Sequence, residues 1–337
     1  MLPAIDHVWI FITGRCNVRC EHCFFAHKSE RLRLSSRSQD ALFRFLSAAG
    51  KKQFIISGGE PFMVWPATRA LLLRIRQAYP QAYLSVQSNG LMMKPGHLVT
   101  LKSMRANLEL GIDGDEAAVA ASRRGLPRGG FQRLCASLSA ARTAGVGLST
   151  TMTVTPQNVA NLSDNFMALL GLRARAIEIH PAFMAQWRRA ESRLFLQGYR
   201  RALASELRMG ERGLISREYS LPAKGVWDMV ILPDGKVLAN WTFLSFPEHV
   251  REQFVVMDLS KRDGEFLPAA KSYFSALRKF LGQGSAPVSY RRLSNFNASL
   301  AISAWGNPQS GRCFKEYVRL CDEIEQIDLA TIRRRPA

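Results

Sequence analysis

The sequence predicts an α/β fold: a partial (β/α)6 TIM-like barrel followed by a smaller α+β C-terminal extension. Six short β-like runs alternate with helix-length segments between residue 7 and about residue 180. This alternation is typical of a parallel sheet wound by right-handed crossovers. Most of the runs are apolar at successive positions, which indicates strands that are covered on both faces.

The segments between the predicted strands carry helix signals, because apolar residues recur every three or four positions and several segments end in glycine. The predicted strands are 7–13, 53–57, 82–88, 106–112, 146–154 and 175–180. The helical segments are SQDALFRFLSAAG, PATRALLLRIRQAY, PGHLVTLKSM, GFQRLCASLSAARTAG and NVANLSDNFMALLGL. Since parallel strands end at one edge of such a sheet, we expect the functional groups at these strand ends.

The pattern changes after residue 184, so we predict a core barrel over 1–184 and an extension over 185–337. Within the extension, residues 186–210 are typical of a charged amphipathic helix. Residues 226–241 predict two strands joined by the turn PDGK. The segments KSYFSALRKFL and CFKEYVRLCDEIEQI predict two further helices.

The composition indicates a folded protein without a membrane span. Of its 337 residues 47% are hydrophobic, but no apolar run approaches the roughly 20 residues that a membrane helix needs. The start of the chain has no signal-peptide pattern, which predicts a cytoplasmic protein with reduced thiols. The net charge is +19, from 46 Lys and Arg against 27 Asp and Glu. It is compatible with an RNA or acidic-peptide partner, and equally with a solvated basic surface.

Three of the six cysteines, Cys16, Cys20 and Cys23, lie in one loop after the first predicted strand. In a reducing compartment such clustering favours metal or redox chemistry. Structural zinc takes four protein ligands and no fourth is near in sequence, so zinc is the weaker interpretation. Three thiolates suit a 4Fe–4S cluster that keeps one iron open for an external ligand. The polar loop GRCNVRCEHC argues against thiols packed as small hydrophobic side chains.

The spacing Cys-x3-Cys-x2-Cys, with His22 before the last cysteine, resembles that of the radical S-adenosylmethionine (SAM) superfamily. SGGEP at 57–61 resembles the family's glycine-rich motif, and SNG at 88–90 and IDG at 112–114 lie where the family has further SAM contacts. SRRGLPRGGFQRL at 122–134 is similar to the stretch before the fourth helix of peptide-modifying members.

The resemblance implies one 4Fe–4S cluster on the three cysteines, with SAM bound at its open iron. An electron from the cluster would cleave SAM, and the 5′-deoxyadenosyl radical would abstract hydrogen from a substrate. The implied SAM contacts are Gly58, Gly59, Glu60, Ser88, Asn89, Asp113 and Arg124. The two glycines would let the backbone approach SAM closely, and Arg124 would clamp its carboxylate. Peptide-modifying relatives often have serine where this chain has Gly111.

Many such relatives carry a C-terminal extension with auxiliary clusters, which begins with a hairpin followed by cysteine. Here LPDGKVLANW resembles that hairpin, but the expected cysteine is Asn240. Only Cys313 and Cys321 remain downstream, which is too few for a further cluster. We therefore expect a single cluster and an extension that has lost its metal. Cys313 and Cys321 are candidate hydrogen donors to a substrate radical, or else ordinary helix residues.

The leading hypothesis is a radical SAM enzyme that crosslinks, epimerises or otherwise modifies a ribosomally synthesised peptide, with Glu178 and His180 as substrate contacts. A flavodoxin- or ferredoxin-type reductant is the implied electron donor. Because the chain begins almost at its first strand, recognition of a leader peptide is expected to need a separate partner. The alternatives are an enzyme acting on a sugar, nucleotide, amino acid or RNA, and a non-catalytic iron–sulfur or zinc protein.

Overall fold

The structure is a computed structural model that describes most of the chain. The described residues are 5–25, 32–46, 53–183, 185–210, 213–217, 220, 227–261, 266–282, 288–306 and 308–333. Within these ranges no helix has the length and apolarity needed to span a bilayer.

The first half alternates strands and helices as the sequence predicts. Its elements are β1 (Ile5–Phe11), β2 (Arg19–Cys20), α1 (Ser36–Leu46), β3 (Gln53–Ser57), α2 (Trp65–Ala78), β4 (Tyr83–Ser88), α3 (Pro95–Ser103), β5 (Asn107–Gly111), α4 (Glu116–Ser122), β6 (Arg123–Arg124), α5 (Gly130–Thr143), β7 (Leu148–Val154), α6 (Leu162–Gly171) and β8 (Ile177–Pro181). The second half contains α7 (Arg189–Arg208), β9 (Trp227–Ile231), β10 (Lys236–Leu238), α8 (Glu248–Arg251), β11 (Val255–Asp258), α9 (Pro268–Leu281), α10 (Tyr290–Trp305) and α11 (Pro308–Arg333).

The strands β1, β3, β4, β5, β7 and β8 are neighbours in that order, and each pairs in parallel with the next. This confirms the predicted partial (β/α)6 barrel. The sheet has nine strands in all, with β11 and β8 at its two edges, so the barrel is open on one side. All six predicted barrel strands are present, with ends that differ by a few residues.

The hairpin that we predicted within the extension continues the barrel sheet. β9 pairs in parallel with β1, and β10 pairs antiparallel with β9. The hairpin turn contains Gly235 at φ +91, a conformation that glycine adopts without strain. β9–β11 thus share one sheet with the barrel strands, and α10 and α11 pack on each other. The division of the chain into two domains at residue 184 remains a proposal.

The two faces of the barrel strands differ in chemistry. Residues such as Ile56, Leu84, Val86 and Leu108 are fully buried, and burial of each such side chain contributes ~1.5–3 kcal/mol. Many of the alternate positions are polar and line cavities in the barrel lumen. A sheet that is buried on both faces therefore has an apolar outer face and a largely polar inner face, and the inner face forms the site described below.

Candidate active site

The three clustered cysteines line one cavity of about 250 Å³ at the carboxyl ends of the barrel strands. Two contacts hold their loop. β2 pairs antiparallel with β6, so Cys20 lies opposite Arg123, and the Glu21 N–H donates to the Ser122 carbonyl over 3.0 Å. The segment after α4 thus fixes the cysteine loop, a contact between distant parts of the chain that the motif spacing does not reveal.

The donor set fits a cluster better than a single ion. Over the described ranges no three His, Cys, Asp or Glu side chains converge closely enough to hold one metal ion. A 4Fe–4S cluster binds each thiolate on a different iron and needs no such convergence, whereas zinc does. Burial raises the pKa of the Cys20 thiol to about 11, and the nearby Arg123 guanidinium opposes this rise.

The glycine-rich loop lies directly against the cysteine loop. Gly58 has φ +135, and a Cβ there would lie 2.5 Å from the Thr13 carbonyl oxygen. A Cβ on Gly59 would lie 1.9 Å from the Arg15 carbonyl oxygen. The Gly59 N–H donates to the Thr13 carbonyl, and the Glu60 N–H to the Arg15 carbonyl, both over 2.7 Å. Both glycines line the cavity, but the close approach that requires them is to the protein's own backbone.

Glu60 joins the ends of β3 and β4 within the protein. Its side chain is fully buried and accepts hydrogen bonds from the Phe62 N–H (3.0 Å), the Ser88 hydroxyl (3.0 and 3.1 Å) and the Asn89 N–H (2.8 Å). Burial raises the pKa of Glu60, and these hydrogen bonds counteract the rise. The Asn89 amide also donates to the Asn17 side chain over 2.7 Å. Ser88 and Asn89 line the cavity, so Glu60 positions residues that can contact a ligand.

Asp113 and its neighbours show which arginine faces the cavity. Asp113 is buried and accepts from Arg123 Nε over 3.0 Å and from the Ser122 hydroxyl over 2.6 Å. Its pKa is lowered despite burial, because Arg123 and His22 stabilise the carboxylate. Arg123 is buried and lines the cavity. The Arg124 side chain is 74% exposed and forms an ion pair with Glu21. The clamp that we predicted at Arg124 is therefore better assigned to Arg123, and that role is part of the proposal below.

Gly111 lies directly against the Arg123 side chain. A Cβ on Gly111 would lie 2.8 Å from Arg123 Nη2 and 3.5 Å from Nη1. A serine there would compete for space with the guanidinium. The glycine therefore leaves room for the buried Arg123 guanidinium, a contact between residues twelve positions apart that the sequence alone does not reveal.

A layer of polar side chains crosses the lumen below the cysteines. Ser57 Oγ donates to Gln87 Oε1 over 2.9 Å, and Gln87 Nε2 donates to Glu109 Oε1 over 2.9 Å. Thr151 Oγ1 donates to the same Glu109 oxygen over 2.8 Å. Our sequence predictions missed Gln87 and Glu109, although their alternation with buried apolar residues in β4 and β5 marks them as facing inward.

The two predicted substrate contacts lie in the same cavity. Glu178 and His180, in β8, both line it, and Glu178 Oε2 lies 3.0 Å from His180 Nε2. They are adjacent on the inner face because residues i and i+2 of a strand point the same way. Their role in substrate binding remains a proposal.

Four aromatic side chains, the aromatic wall, line part of the same cavity. Phe24, Trp241, Phe183 and Tyr317 form a chain of edge contacts with ring centroids 6.0, 5.8 and 5.4 Å apart. Trp241 follows β10 and Tyr317 lies in α11. The C-terminal region therefore supplies part of the cavity wall.

Of the two candidate donor cysteines, only Cys321 is among the residues that line the cavity. Cys321 is buried, and its thiol contacts the Tyr317 hydroxyl and the Arg291 guanidinium. Burial raises the pKa of Cys321, so the thiol keeps its proton. Arg291 also lines the cavity, and Asp328, which is fully buried, lies 3.8 Å from its Nη2.

Asn240, the residue at which the resemblance led us to expect a cysteine, forms hydrogen bonds within the protein. Its Oδ1 accepts from the Thr242 N–H over 3.0 Å and from the Thr242 hydroxyl over 2.9 Å. Its Nδ2 donates to Asp228 Oδ2 over 3.0 Å. These bonds cap the 3-10 turn Trp241–Ser245, which carries Trp241 of the aromatic wall.

Comparison with known proteins agrees with this geometry. The sequence pattern of the radical SAM superfamily matches residues 10–164. That segment is a radical SAM domain. The family uses a 4Fe–4S cluster and SAM, and the cavity offers three cysteines, a buried arginine and polar strand ends for them.

Similar proteins carry out different reactions. The antilisterial bacteriocin subtilosin biosynthesis protein AlbA of Bacillus subtilis (strain 168) is 28% identical over 181 residues, 52% of this chain and 39% of AlbA. A GTP 3′,8-cyclase of Geobacter sulfurreducens (strain ATCC 51573 / DSM 12127 / PCA) is 32% identical over 149 residues, 42% of this chain and 44% of the cyclase. The chain thus matches less than half the length of these two curated relatives.

The fold likeness extends over nearly the whole chain. The structure titled "Native anSMEcpe with bound AdoMet and Cp18Cys peptide" superposes with a TM-score of 0.67 at 15% sequence identity, covering 95% of this chain and 99% of that one. The likeness therefore includes the fold of the C-terminal region as well as that of the barrel.

Proposed function

We propose that this protein is a radical SAM enzyme that modifies a ribosomally synthesised peptide. One observation carries the proposal: a single cavity joins the three cysteines and Arg123 to an aromatic wall from the C-terminal region. When bound there, the cluster and SAM supply a 5′-deoxyadenosyl radical that abstracts hydrogen. The names of AlbA and of the anSMEcpe peptide complex support a peptide substrate.

Different residues of the site would bind the cluster, bind SAM and hold these binding residues in place. Cys16, Cys20 and Cys23 would hold the cluster, and Arg123 would pair with the SAM carboxylate through charge-assisted hydrogen bonds. The backbone around Gly58 and Gly59 and the side chains of Ser88 and Asn89 would contact the rest of SAM. Glu60 and Asp113, both buried behind these groups, act by holding them in place.

Cys321 is the donor candidate that the proposal retains. Its protonated thiol lines the cavity and could return a hydrogen atom to a substrate carbon radical. The sulfur radical left behind would then need one electron and one proton, which a flavodoxin- or ferredoxin-type reductant and solvent would supply. A cytoplasmic location, where such reductants and reduced thiols occur, belongs to the same proposal.

The test is hydrogen transfer in the holoenzyme. Protein reconstituted with iron and sulfide under anaerobic conditions would be reduced with SAM and offered uniformly deuterated candidate peptides. We expect deuterium in the 5′-deoxyadenosine and a mass change, or a stereochemical change, in the peptide. If deuterium reaches 5′-deoxyadenosine only from deuterated sugars, nucleotides or RNA, the peptide substrate is refuted, whereas the radical SAM chemistry is retained.

A further inference from the structure

A surface depression of about 760 Å³ lies beside the cysteine loop. Arg15, which lines it, directly precedes Cys16 in the chain. None of its described lining residues lines the cavity that holds the cysteines. The part of this depression that we call the arginine face consists of Arg15, Leu32, Arg33, Ser35, Ser36 and Gln39.

Backbone contacts join the two segments that carry the arginine face. The Gly14 N–H donates to the Leu32 carbonyl over 3.2 Å, and Thr13 forms an antiparallel bridge with Arg33. Arg15 is also tied to the glycine-rich loop, because its carbonyl accepts from an N–H of that loop over 2.7 Å. The backbone positions of both arginines are therefore set by the fold before any partner binds.

The arginine face carries positive charge that the described part of the chain does not neutralise. Arg15 and Arg33 are exposed, and neither side chain forms an ion pair or a hydrogen bond with a described residue. The described lining residues include no aspartate or glutamate. Arg124, an exposed arginine that also lies against the cysteine loop, differs because Glu21 pairs with it. The arginine face therefore attracts a negatively charged partner.

Leu32 adds an apolar contact to the arginine face. It is 40% exposed, whereas Leu34 is buried. Arginine is enriched at protein–protein interfaces, and polar residues such as Ser35 and Ser36 are typical of their rims. Electron-transfer complexes bury less surface than most specific complexes do, so a face with two charges and one apolar residue suits such a partner.

The position of the arginine face beside the cluster loop selects the kind of partner. In the proposed function the cluster takes up one electron for each SAM that it cleaves, and SAM and the substrate occupy the cavity. The protein that carries this electron must therefore approach from outside the cavity. Arg15 is exposed and only one peptide bond from Cys16, so a protein bound there lies next to the segment that holds the cluster.

We infer that the arginine face is the docking surface for an acidic electron-carrier protein of the flavodoxin or ferredoxin type. One electron passes from the reduced carrier to the oxidised cluster, and no bond forms or breaks. Carboxylates of the carrier pair with Arg15 and Arg33, and its apolar surface covers Leu32. Opposite charges accelerate the encounter of two proteins and fix their orientation. The inference rests on the proposed function, because only a cluster that cleaves SAM needs this electron, and it adds where the reductant binds.

The experiment compares a protein reductant with a small one. Oxidised flavodoxin and oxidised ferredoxin would each be titrated into SAM-loaded holoenzyme, and 5′-deoxyadenosine formation would be timed with the reduced carrier and with dithionite, which needs no docking surface. We expect Arg15→Gln with Arg33→Gln to raise the Kd for the carrier about tenfold or more at low salt. Formation of 5′-deoxyadenosine should slow with the carrier and stay within about twofold with dithionite.

Two controls separate the arginine face from the overall charge. Arg200→Gln with Arg278→Gln removes the same charge from exposed positions in α7 and α9 and should bind the carrier as the wild type does. Raising the ionic strength should weaken binding to the wild type and have little effect on Arg15→Gln with Arg33→Gln, because that variant has lost the charges that salt screens.

An unchanged Kd in Arg15→Gln with Arg33→Gln, or an equal loss in the control variant, would overturn the inference. It would also be overturned if neither carrier binds the wild type, or if the dithionite-driven rate falls as much as the carrier-driven rate. A loss of affinity for an acidic candidate peptide or for RNA, with carrier affinity unchanged, would assign the arginine face to that partner instead.

Deuterium transfer driven by dithionite distinguishes this failure from failure of the proposed function, because dithionite bypasses the carrier. Transfer from a candidate peptide with unchanged carrier affinity in the variant retains the peptide enzyme and rejects the docking surface. Selective loss of carrier affinity with no transfer from any peptide retains the docking surface and rejects the peptide enzyme.

Discussion

Arg123 and Arg124 are adjacent in sequence, yet the structure predicts opposite consequences of their loss. Arg123→Gln removes the partner of the buried Asp113, whose side chain is 1% exposed. An unpaired buried carboxylate costs about 3–5 kcal/mol of the free energy of unfolding. Arg124→Gln removes an ion pair whose side chains are 74% and 35% exposed, and such pairs contribute ~0–1 kcal/mol.

Affinity for SAM should separate the two variants again. A charge-assisted hydrogen bond contributes about 1.5–3 kcal/mol, so Arg123→Gln should raise the Kd for SAM roughly 10- to 150-fold. Arg124→Gln should leave it within about twofold, because its side chain points away from the cavity. The assays are urea unfolding of the apo-protein and equilibrium binding of SAM to the reconstituted protein.

A double variant separates the loss of stability from the loss of binding. Arg123→Gln combined with Asp113→Asn removes both charges, so it should recover most of the free energy of unfolding that Arg123→Gln loses. It should not recover SAM affinity. If the double variant binds SAM as the wild type does, or if Arg124→Gln weakens binding as much as Arg123→Gln, the assignment of the clamp to Arg123 is wrong.

Further predictions concern the loops, the donor and the response to acid. Gly59→Ala should prevent cluster assembly, measured as iron per chain, because its Cβ would overlap the Arg15 carbonyl; normal iron content would contradict this. Cys321→Ala should stop the return of a hydrogen atom to the substrate radical, so 5′-deoxyadenosine should still form while the modified peptide does not. Cys313→Ala, the matched control, should form both. The pKa of Asp113 is lowered in the folded state. Its contribution to stability is therefore present above the ordinary carboxyl pKa of about 3.9 and is lost as pH falls through the folded pKa. The urea midpoint of unfolding of Asp113→Asn should consequently fall less steeply with acid than that of the wild type.

The barrel and the cluster loop were predictable because their signals are local. Six apolar runs separated by helical periodicity specify a parallel sheet, and Cys-x3-Cys-x2-Cys followed by SGGEP places two loops at its carboxyl edge. The structure has those six strands in parallel order, and it brings Gly58 and Gly59 against the cysteine loop.

The other features of the site could not be predicted, because they depend on contacts between segments that are distant in sequence. The pairing of β2 with β6 turns Arg123 inward and Arg124 outward, and no periodicity in a two-residue strand reveals which is which. Gln87 and Glu109 alternate with buried apolar residues in β4 and β5, which marks them as facing inward, but the pairing of Gln87 with Glu109 depends on the register between these strands. The role of Cys321 depends on α11 packing beside the barrel, which is set by a buried network around Asp328.

The central claim is that the three clustered cysteines hold the cluster at which SAM is cleaved. The most direct measurement is iron content and 5′-deoxyadenosine yield after anaerobic reconstitution and reduction, for the wild type, Cys20→Ala and Cys135→Ala, whose cysteine lies in α5 away from the cavity lining. We predict about four iron per chain and 5′-deoxyadenosine for the wild type and Cys135→Ala, and loss of both in Cys20→Ala. Cleavage of SAM by Cys20→Ala at the wild-type rate would contradict the account.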